Sequence, residues 1–536
     1  MSDPKAQSVL DHFNRLKQDR GVYDVAWQDI RELVRPNTVE FLRNTVPGQV
    51  RTEKAYDSTA IQSCQELGAW MYASLTPASE RWMAIELEDM REYGDDPELI
   101  EWLELVTDAL LHQYANDATD FNGAICESFL DIPAFGTCVF NQEWNWDENA
   151  LCFKTQPLAD CFFEENNYHR VDSLYRRLKM TTRQMLREFG LESLPLQVRD
   201  NKNATKQFDV IHAVHPRDER TQYKLDSANM PFASLWVCEL SGTILRESGY
   251  SSFPYHVPRW TKIAGEPYGR GPGIQCLPDI KMVNRMMFVI LKAGQLAIHP
   301  PLQVPSDGFL LPIKTHPGAL LMKEPGTENI EPLKFEGNLP IGLEIVEQTR
   351  EAIRRCFFVD VLKSLPAKKE RQSAFEVSQM VDQNLRLMGA MLGRIQTEML
   401  TPMIRRTYEL LKQHDMMPPP PSHIRGAKMA IRYVSPAALA QRGAKLDQMS
   451  RFLNGLLPLA QMKPDVIDAL NTDGWVRVLA EATHAPTAIL NTAEEMETIR
   501  QRRAEEQLAM AAKEAIEPAS KAAKNLAEAQ QIGGLF

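Results

Sequence analysis

The chain has 536 residues, 44% of them hydrophobic and 24% charged. That length predicts about three to five structural units, and that composition excludes a disordered, collagenous or coiled-coil polypeptide. Sixty Lys and Arg face 71 Asp and Glu, a net charge of −11, which argues against a generally basic nucleic-acid binder while leaving room for a local basic surface.

The first 130 residues read as helices. Ala6, Val9, Leu10, Phe13 and Leu16 share one face at the 3.6-residue period. Asp57-Ser58-Thr59 offers N-caps for a helix carrying Ile61, Leu67, Trp70, Met71 and Leu75, stopped by Pro77. A third helix is predicted from Pro97, at its first turn, to Tyr114.

From Gly136 the pattern turns to strands. Residues 137–144 and 150–155 flank the polar turn Asp147-Glu148-Asn149, a predicted hairpin. Phe208–His215 reads as a strand, and 233–240 with 243–247 as a second hairpin around Ser241-Gly242. Thr181–Phe189 is a short helix ending at Gly190. A glycine loop, Gly265–Gly273, then leads into a helix from Gln275 to Ile298. A Pro-rich stretch follows, from His299 to Pro340, and a second helix from Ile341 to Leu365. The connector Pro366–Ser373 is basic. Beyond it a long helical pattern runs from Ala374 to His414, bent at Gly389, Gly393 and Pro402 and ended by Pro418–Pro421. Thr492–Gln531 is helical in pattern but poor in large apolar residues, so it needs neighbours or stays exposed.

The eight cysteines, Cys64, Cys126, Cys138, Cys152, Cys161, Cys238, Cys276 and Cys356, form no CxxC pair and are expected to be reduced, buried thiols of a cytosolic product. The N-terminus lacks the apolar core of a signal peptide. Met282–Ile298, the most apolar helical stretch, is interrupted by Arg285, Lys292 and Gln295 and falls short of the ~20 apolar residues of a membrane span. A soluble protein with no membrane contact is expected.

No catalytic constellation emerges. The glycine loop around Tyr268-Gly269-Arg270-Gly271 lacks the GxxxxGK[ST] phosphate cradle and reads as a tight turn. His212 and His215 point to opposite faces of a strand, with no third ligand at suitable spacing. Neither GxSxG nor HExxH occurs. No enzyme activity, cofactor or metal is expected. The cations are more informative. Lys363, Lys368, Lys369 and Arg371 cluster at a helix junction opposed only by Glu370. Repeated around a ring they would make a belt able to hold duplex DNA through its phosphates.

The run Tyr250–Trp260, with Arg259 at its end, continues into Gly265–Pro272, Leu277–Lys281, Asn284, Pro300-Pro301-Leu302 and Asp307-Gly308. It resembles the head-to-tail connector (portal) proteins of short-tailed, podovirus-type bacteriophages. Val171–Arg177, Val210–Arg217, Glu370–Val377 and Thr401–Arg406 fit the same family, and the likeness covers residues 5 to 435. The resemblance implies a mostly helical α+β portal fold, with wing, stem, clip and crown regions, whose twelve copies ring a DNA channel at one capsid vertex. Mapped onto this chain, 1–135 is the helical N-terminal part of the wing and 136–272 the α+β wing. The first stem helix is 273–298, the clip 299–340, the second stem helix 341–364 and the tunnel loop 365–373. The long bent helix is 374–415, the wing–crown connection 416–490 and the crown 491–536.

It further implies that Lys363, Lys368, Lys369 and Arg371 face the channel. Pro305, Asp307, Phe309, Lys314, His316 and Lys323 would form the clip's docking surface. The implied partners are further copies of the chain, phage double-stranded DNA without sequence preference, the terminase large subunit, the major capsid and scaffolding proteins, and tail adaptors. The implied location is the virion, and the host cytoplasm during assembly. Two other readings compete: a packaging ATPase, disfavoured by the missing phosphate-binding loop, and a capsid or scaffold protein.

Overall fold

A computed structural model of the protein describes residues 3–42, 54–78, 80–88, 96–199, 205–217, 219–221, 226–303, 339–360, 388–421 and 428–434, with a few shorter pieces. Two compact units divide the chain, Met1–Gln441 and Arg442–Phe536. In the second, residues 498–506 form an exposed helical run. The first holds the architecture below, which is α+β. No helix among the described residues is long and apolar enough to cross a membrane.

Helix α1, Pro4–Leu33, starts where the Asp3 carboxylate accepts from the Lys5 amide at 3.0 Å. Its apolar stripe serves two cores in turn. Ala6, Val9, Leu10, Phe13 and Leu16 pack on Phe162, Tyr175, Ile211 and Leu235 of a sheet, whereas Trp27 and Ile30 enter the main core. Between them Arg20, 2% exposed, donates to the carbonyls of Leu158, Ala159 and Cys161 at 2.7–2.8 Å and pairs with Asp24 at 2.9 Å. Its guanidinium lies 3.8 Å above Phe162. One side chain thus satisfies a whole buried turn.

The sheet is a five-stranded antiparallel meander of β4 (Cys161–Glu165), β5 (Val171–Thr181), β6 (Gln207–Pro216), β7 (Phe232–Cys238) and β8 (Thr243–Tyr250), in that order. Central β6 is covered on both faces, α1 lying over Ile211 and Ala213. Phe208 and Val210, on its other face, pack with Met185 of helix α5 (Thr182–Phe189). A reciprocal capping box between Thr181 and Gln184 starts α5, and Gly190 at φ +77° ends it. A three-stranded sheet, β3 (Ala150–Gln156), β2 (Val139–Asn145) and β9 (Tyr255–His256), packs on α4 (Phe121–Phe135). Nearby, Trp82, Tyr114, Phe121, Phe140 and Phe153 join aromatic faces and edges. Helices α2 (Thr59–Leu75) and α3 (Pro97–Ala115) complete this core.

The predicted hairpins, the 208–215 strand and the three predicted helices are present, with α1 running well beyond residue 16. The N-terminal region is not wholly helical, however. Strand β1, Met83–Leu87, lies inside it and pairs with β10, Met429–Tyr433. Strands β4 and β5 are also additions to the sequence reading. In β5, Arg176, Arg177 and Lys179 hide the alternation that would mark a buried strand.

Two histidines are sealed into these layers. His212 of β6 is spanned by the Tyr255 hydroxyl (3.1 Å) and Ser234 Oγ (2.9 Å) and stacks on Trp236 at 4.1 Å. His256 of β9 meets the Gln142 amide at 3.1 Å. The amide orientation that satisfies every neighbour donates nitrogen to His256 Nε2 and accepts Thr407 Oγ1 at oxygen. Burial drives each imidazole's pKa down to about 3, helped by Arg176 and Arg246 at His212 and by Arg406 at His256.

In the unfolded chain these rings titrate near ~6.5. Below that pH the unfolded state takes up protons that the folded state refuses until about pH 3. Stability therefore falls as pH drops through this window, by ~1.4 kcal/mol per unit for each ring. Urea midpoints at pH 7 and pH 5 should differ strongly in the parent and less in His256→Gln or His212→Gln. Equal pH slopes in parent and variants would remove the histidines as the cause.

Candidate functional site: a projecting helix pair and its root

Helices α6 (Leu277–Ile298) and α7 (Leu339–Cys356) lie side by side and antiparallel. They meet along Met286, Met287, Ile290, Val346 and Ile353, where Arg350 Nη2 approaches Met287 Sδ at 3.7 Å. Polar contacts gather at one end. The Asp57 carboxylate accepts from Arg350 Nε at 2.9 Å and from the Thr59 amide at 2.9 Å. Burial pushes the Asp57 pKa up, but the Thr59 and Arg350 hydrogen bonds outweigh it and hold the group below its ordinary value. Asn284 Oδ1 accepts from Tyr56 N (2.7 Å) while its Nδ2 donates to Lys54 O (2.8 Å), and Lys281 pairs with Asp29.

Away from that end the pair loses its cover. Of the 22 residues of α6 only Ile280 and Val283 are buried. Val289, Leu291 and Ile298 of α6 and Leu343 of α7 are 57, 49, 74 and 53% exposed. Large apolar side chains at that exposure, repeated along two adjacent helices, form an apolar surface that the described part of the chain leaves in water.

The root of the pair is built on glycine. Loop 268–273 lies directly on the end of α4 and the first residues after it. Trp260 N donates to Gly136 O (2.9 Å) and Gly269 N to Thr137 Oγ1 (2.8 Å). A Cβ at Gly269 would stand 2.4 Å from Gly136 O. At Gly271 it would stand 2.6 Å from Pro133 O, and at Gly273 2.4 Å from Ala134 O. The loop is therefore more than the tight turn expected from its sequence. Three of its glycines permit backbone-on-backbone contact, and only Gly265 at φ +85° supplies a left-handed turn.

Beside this root Arg259, its side chain 1% exposed, joins three segments. Its Nε and Nη2 take Glu398 bidentately at 3.0 and 2.7 Å, its backbone N donates to the same carboxylate at 2.9 Å, and Nη1 reaches Glu165 at the end of β4. Lys262 Nζ donates to Glu165 at 2.7 Å. Glu398 belongs to a π turn, Gln396–Leu400, between residues 388–395 and helix α8, Thr401–Gln413. The helical run thus continues through Pro402, and the wider turn beside it accommodates a residue with no N–H to give. On the same run, Arg406 donates to Gln142 O (3.2 Å) and Ser252 O (2.6 Å). A cleft of about 940 Å³ opens alongside, with Arg170, Arg394 and Arg405 on its walls against Glu398 and Glu409.

Both sets of residues singled out from sequence, Lys363, Lys368, Lys369 and Arg371, and Pro305, Asp307, Phe309, Lys314, His316 and Lys323, lie outside the described residues. The basic connector 365–373, residues 374–387 of the long helix and most of 299–338 lie there too. Helix α7 ends at Cys356, short of the residue 365 read from its pattern, where Phe358 adopts φ +59°. A left-handed aromatic residue cannot continue an α-helix. Residues 359–360 are helical again. Asp57 caps helix α2 as its sequence suggests, whereas its pairing with Arg350, and that of Glu165 and Glu398 with Arg259, join residues too distant in the chain to be read from it.

Gly271→Ala should destabilise the fold by ~1–3 kcal/mol, since the new methyl meets fixed carbonyls. Gly21→Ala, at an exposed helical site with nothing within 4 Å, should instead gain up to ~1 kcal/mol. Denaturant midpoints that moved the same way in both variants would refute the close-approach account.

Comparison with known proteins follows the same geography. The family model described as "Bacteriophage head to tail connecting protein" matches residues 6–490. The "Probable portal protein" of Bordetella phage BPP-1 is 28% identical over 513 residues, covering 94% of this chain and 91% of the relative. The "Portal protein" of Salmonella phage epsilon15 is 26% identical over 544 residues, covering 99% and 97%. Among solved structures, a chain from "Virion of native gene transfer agent (GTA) particle" covers 76% of this chain and 90% of its own at 10% identity and a TM-score of 0.36. A chain from "Neck of native GTA particle computed with C12 symmetry" covers 74% and 86% at 10% identity and 0.34. These two likenesses are too loose to bear on the fold. The family model spans α1, both sheets, the helix pair and the Arg259–Glu398 fork, and the chain belongs to the bacteriophage head to tail connecting protein family.

Proposed function

We propose that this chain is the portal subunit of a tailed bacteriophage. Twelve copies form a ring at one capsid vertex, and the genome is packaged and ejected through its channel. Family membership and two portal relatives matched along nearly their whole length support the reading. The observation that carries assembly is the uncovered α6–α7 pair. A closed ring covers such faces by head-to-tail contact, which joins two unlike surfaces and leaves no free end. The polar cleft beside Arg259 offers a second, unlike surface on the same subunit.

Within this reading the protein is a structural part of the virion, assembled in the host cytoplasm, and does not catalyse a reaction. The α6–α7 pair corresponds to the stem. Lys363, Lys368, Lys369 and Arg371 form a cationic belt facing the channel and retain DNA through its phosphates. Pro305, Asp307, Phe309, Lys314, His316 and Lys323 lie on the clip, which docks first the terminase large subunit and then tail adaptors. Capsid and scaffolding proteins surround the ring.

Purified chain at micromolar concentration should sediment as a large closed oligomer and show rings with a central hole by negative-stain microscopy. A stable 60.9 kDa monomer would sink the reading. Replacing Val289, Leu291, Ile298 and Leu343 together with Ser should shift rings toward monomer, while secondary structure and melting stay near the parent's. Rings that assemble unchanged would place the interface elsewhere.

A second test uses assembled particles. Lys368, Lys369 and Arg371 changed together to Ser should spare ring assembly, because exposed charges contribute little stability, yet lower DNA retention. Replacing residues 303–335 with a short flexible linker should leave the rest folded but abolish tail attachment. Full DNA retention in the first variant, or tailed particles from the second, would refute the corresponding role.

A further inference from the structure

Cys276 stands at the N-cap of α6 and Cys356 is the last residue of α7. The antiparallel pairing therefore brings together two thiols that are 80 residues apart in sequence (356 − 276). Both Sγ atoms approach one acceptor, Pro272 O, at 3.0 Å for Cys276 and 3.5 Å for Cys356, which places the two thiols at the same carbonyl. Cys276 is 3% exposed and Cys356 is half-buried, so a reagent reaches the pair from the Cys356 side. Asp279, one turn into α6, is the carboxylate acting on both thiols. The neighbouring Cys356 thiol, burial and Asp279 push the Cys276 thiol up, and its greater exposure suits Cys356 to be the first nucleophile.

We propose that Cys276 and Cys356 are a dithiol–disulfide pair that latches the root of the helix pair when the protein meets an oxidising medium. The oxidant is a small-molecule disulfide of the glutathione type. Cys356 gives up its proton, and its thiolate attacks one sulfur of that disulfide. A mixed disulfide forms and one small thiolate leaves. Cys276, deprotonated in turn, attacks Cys356 Sγ, closing the protein S–S bond and releasing the second small thiolate. Two protein thiols are oxidised and one disulfide is reduced to two small thiolates, which take up the two protons the protein thiols gave up.

The bond needs the sulfurs to close from their shared place at Pro272 O to about 2 Å, and the backbone at this point is already held by the glycine contacts of loop 268–273. It would tie off the whole excursion between α6 and α7 in one covalent loop, which restricts the unfolded chain. The latch's biological use rests on the portal reading. Subunits assemble in a reducing cytoplasm, where the thiols stay reduced, and released particles pass into oxidising surroundings, where the root locks.

The full-length chain is incubated with glutathione disulfide at pH 8, or with reductant, then alkylated and digested without reduction. In the oxidised sample two of the eight thiols should vanish, a peptide cross-linked through Cys276 and Cys356 should appear, and the melting midpoint should rise. Dithiothreitol should reverse all three changes. Cys276→Ser and Cys356→Ser should each abolish the cross-link and the rise. Oxidised parent carrying only glutathione on Cys356, or cross-linked parent melting no higher than reduced, would overturn the proposal. The cross-link forms within one chain, so its absence in well-formed rings refutes the latch and leaves the portal reading standing. Cross-linked monomers that never form rings refute the portal reading, and the latch's use with it.

Discussion

The structure depends on one buried guanidinium. Arg259 holds Glu398 bidentately and Glu165 at its other nitrogen, so a strand end, a loop and a helical turn share one charge cluster. Removing Arg259 would take the bidentate partner from Glu398 and leave Glu165 with Lys262 alone, at a cost of ~3–5 kcal/mol. The planar fork also fixes direction, which a lysine ammonium could not do. Because the residue after Arg259 donates directly to Gly136, the position of the fork sets where loop 268–273 lies, and that loop sets where α6 begins.

Two sorts of rigidity then meet at the same place. Glycine contacts bring backbone against backbone around Pro133–Gly136, and the Asp57–Arg350 pair ties α7 to the start of α2. All the strong polar contacts of the helix pair fall near this end. At ~1.5 Å per residue, α6 is about 33 Å long, so most of its length extends beyond its own supports. A lever anchored this firmly transmits position faithfully to whatever packs along it. It also leaves its apolar side chains in water until something does.

Much of this was legible in the sequence. Phe208, Val210, Ile211, Ala213 and Val214 put apolar residues on both faces of a strand over 208–215, and the paired long helices follow from their 3.6-residue stripes. The fork was not legible as such. Arg259 and Thr401–Arg406 stood out only through the family resemblance, and nothing local says that Arg259 meets Glu398 across 139 residues. Strand β1 was hidden for a similar reason, because five residues gain strand character from a partner beyond residue 428. The end of α7 at Cys356 lies in Phe358's backbone, and propensity gives no warning of an aromatic residue in the left-handed region. Convergence of Cys276 and Cys356 needed the antiparallel pairing itself.

The distribution of ion pairs separates what holds the subunit from what is free to exchange. Arg20 and Arg259 are buried against carbonyls and carboxylates of their own chain, and they cannot be re-paired without unfolding their surroundings. On α7 the situation differs. Arg354 with Glu347 and Arg355 with Glu351 are pairs whose members are 36–71% exposed, and pairs of that sort contribute little to stability. A neighbouring subunit could take either partner without cost to the fold. Beside these exchangeable charges lie the uncovered apolar side chains of the two helices, so polar and apolar terms both favour association along the pair. A chain of net charge −11 still repels its copies at long range. In the proposed ring, association would therefore depend on close, short-range fit along the helices, which the rigid root would supply.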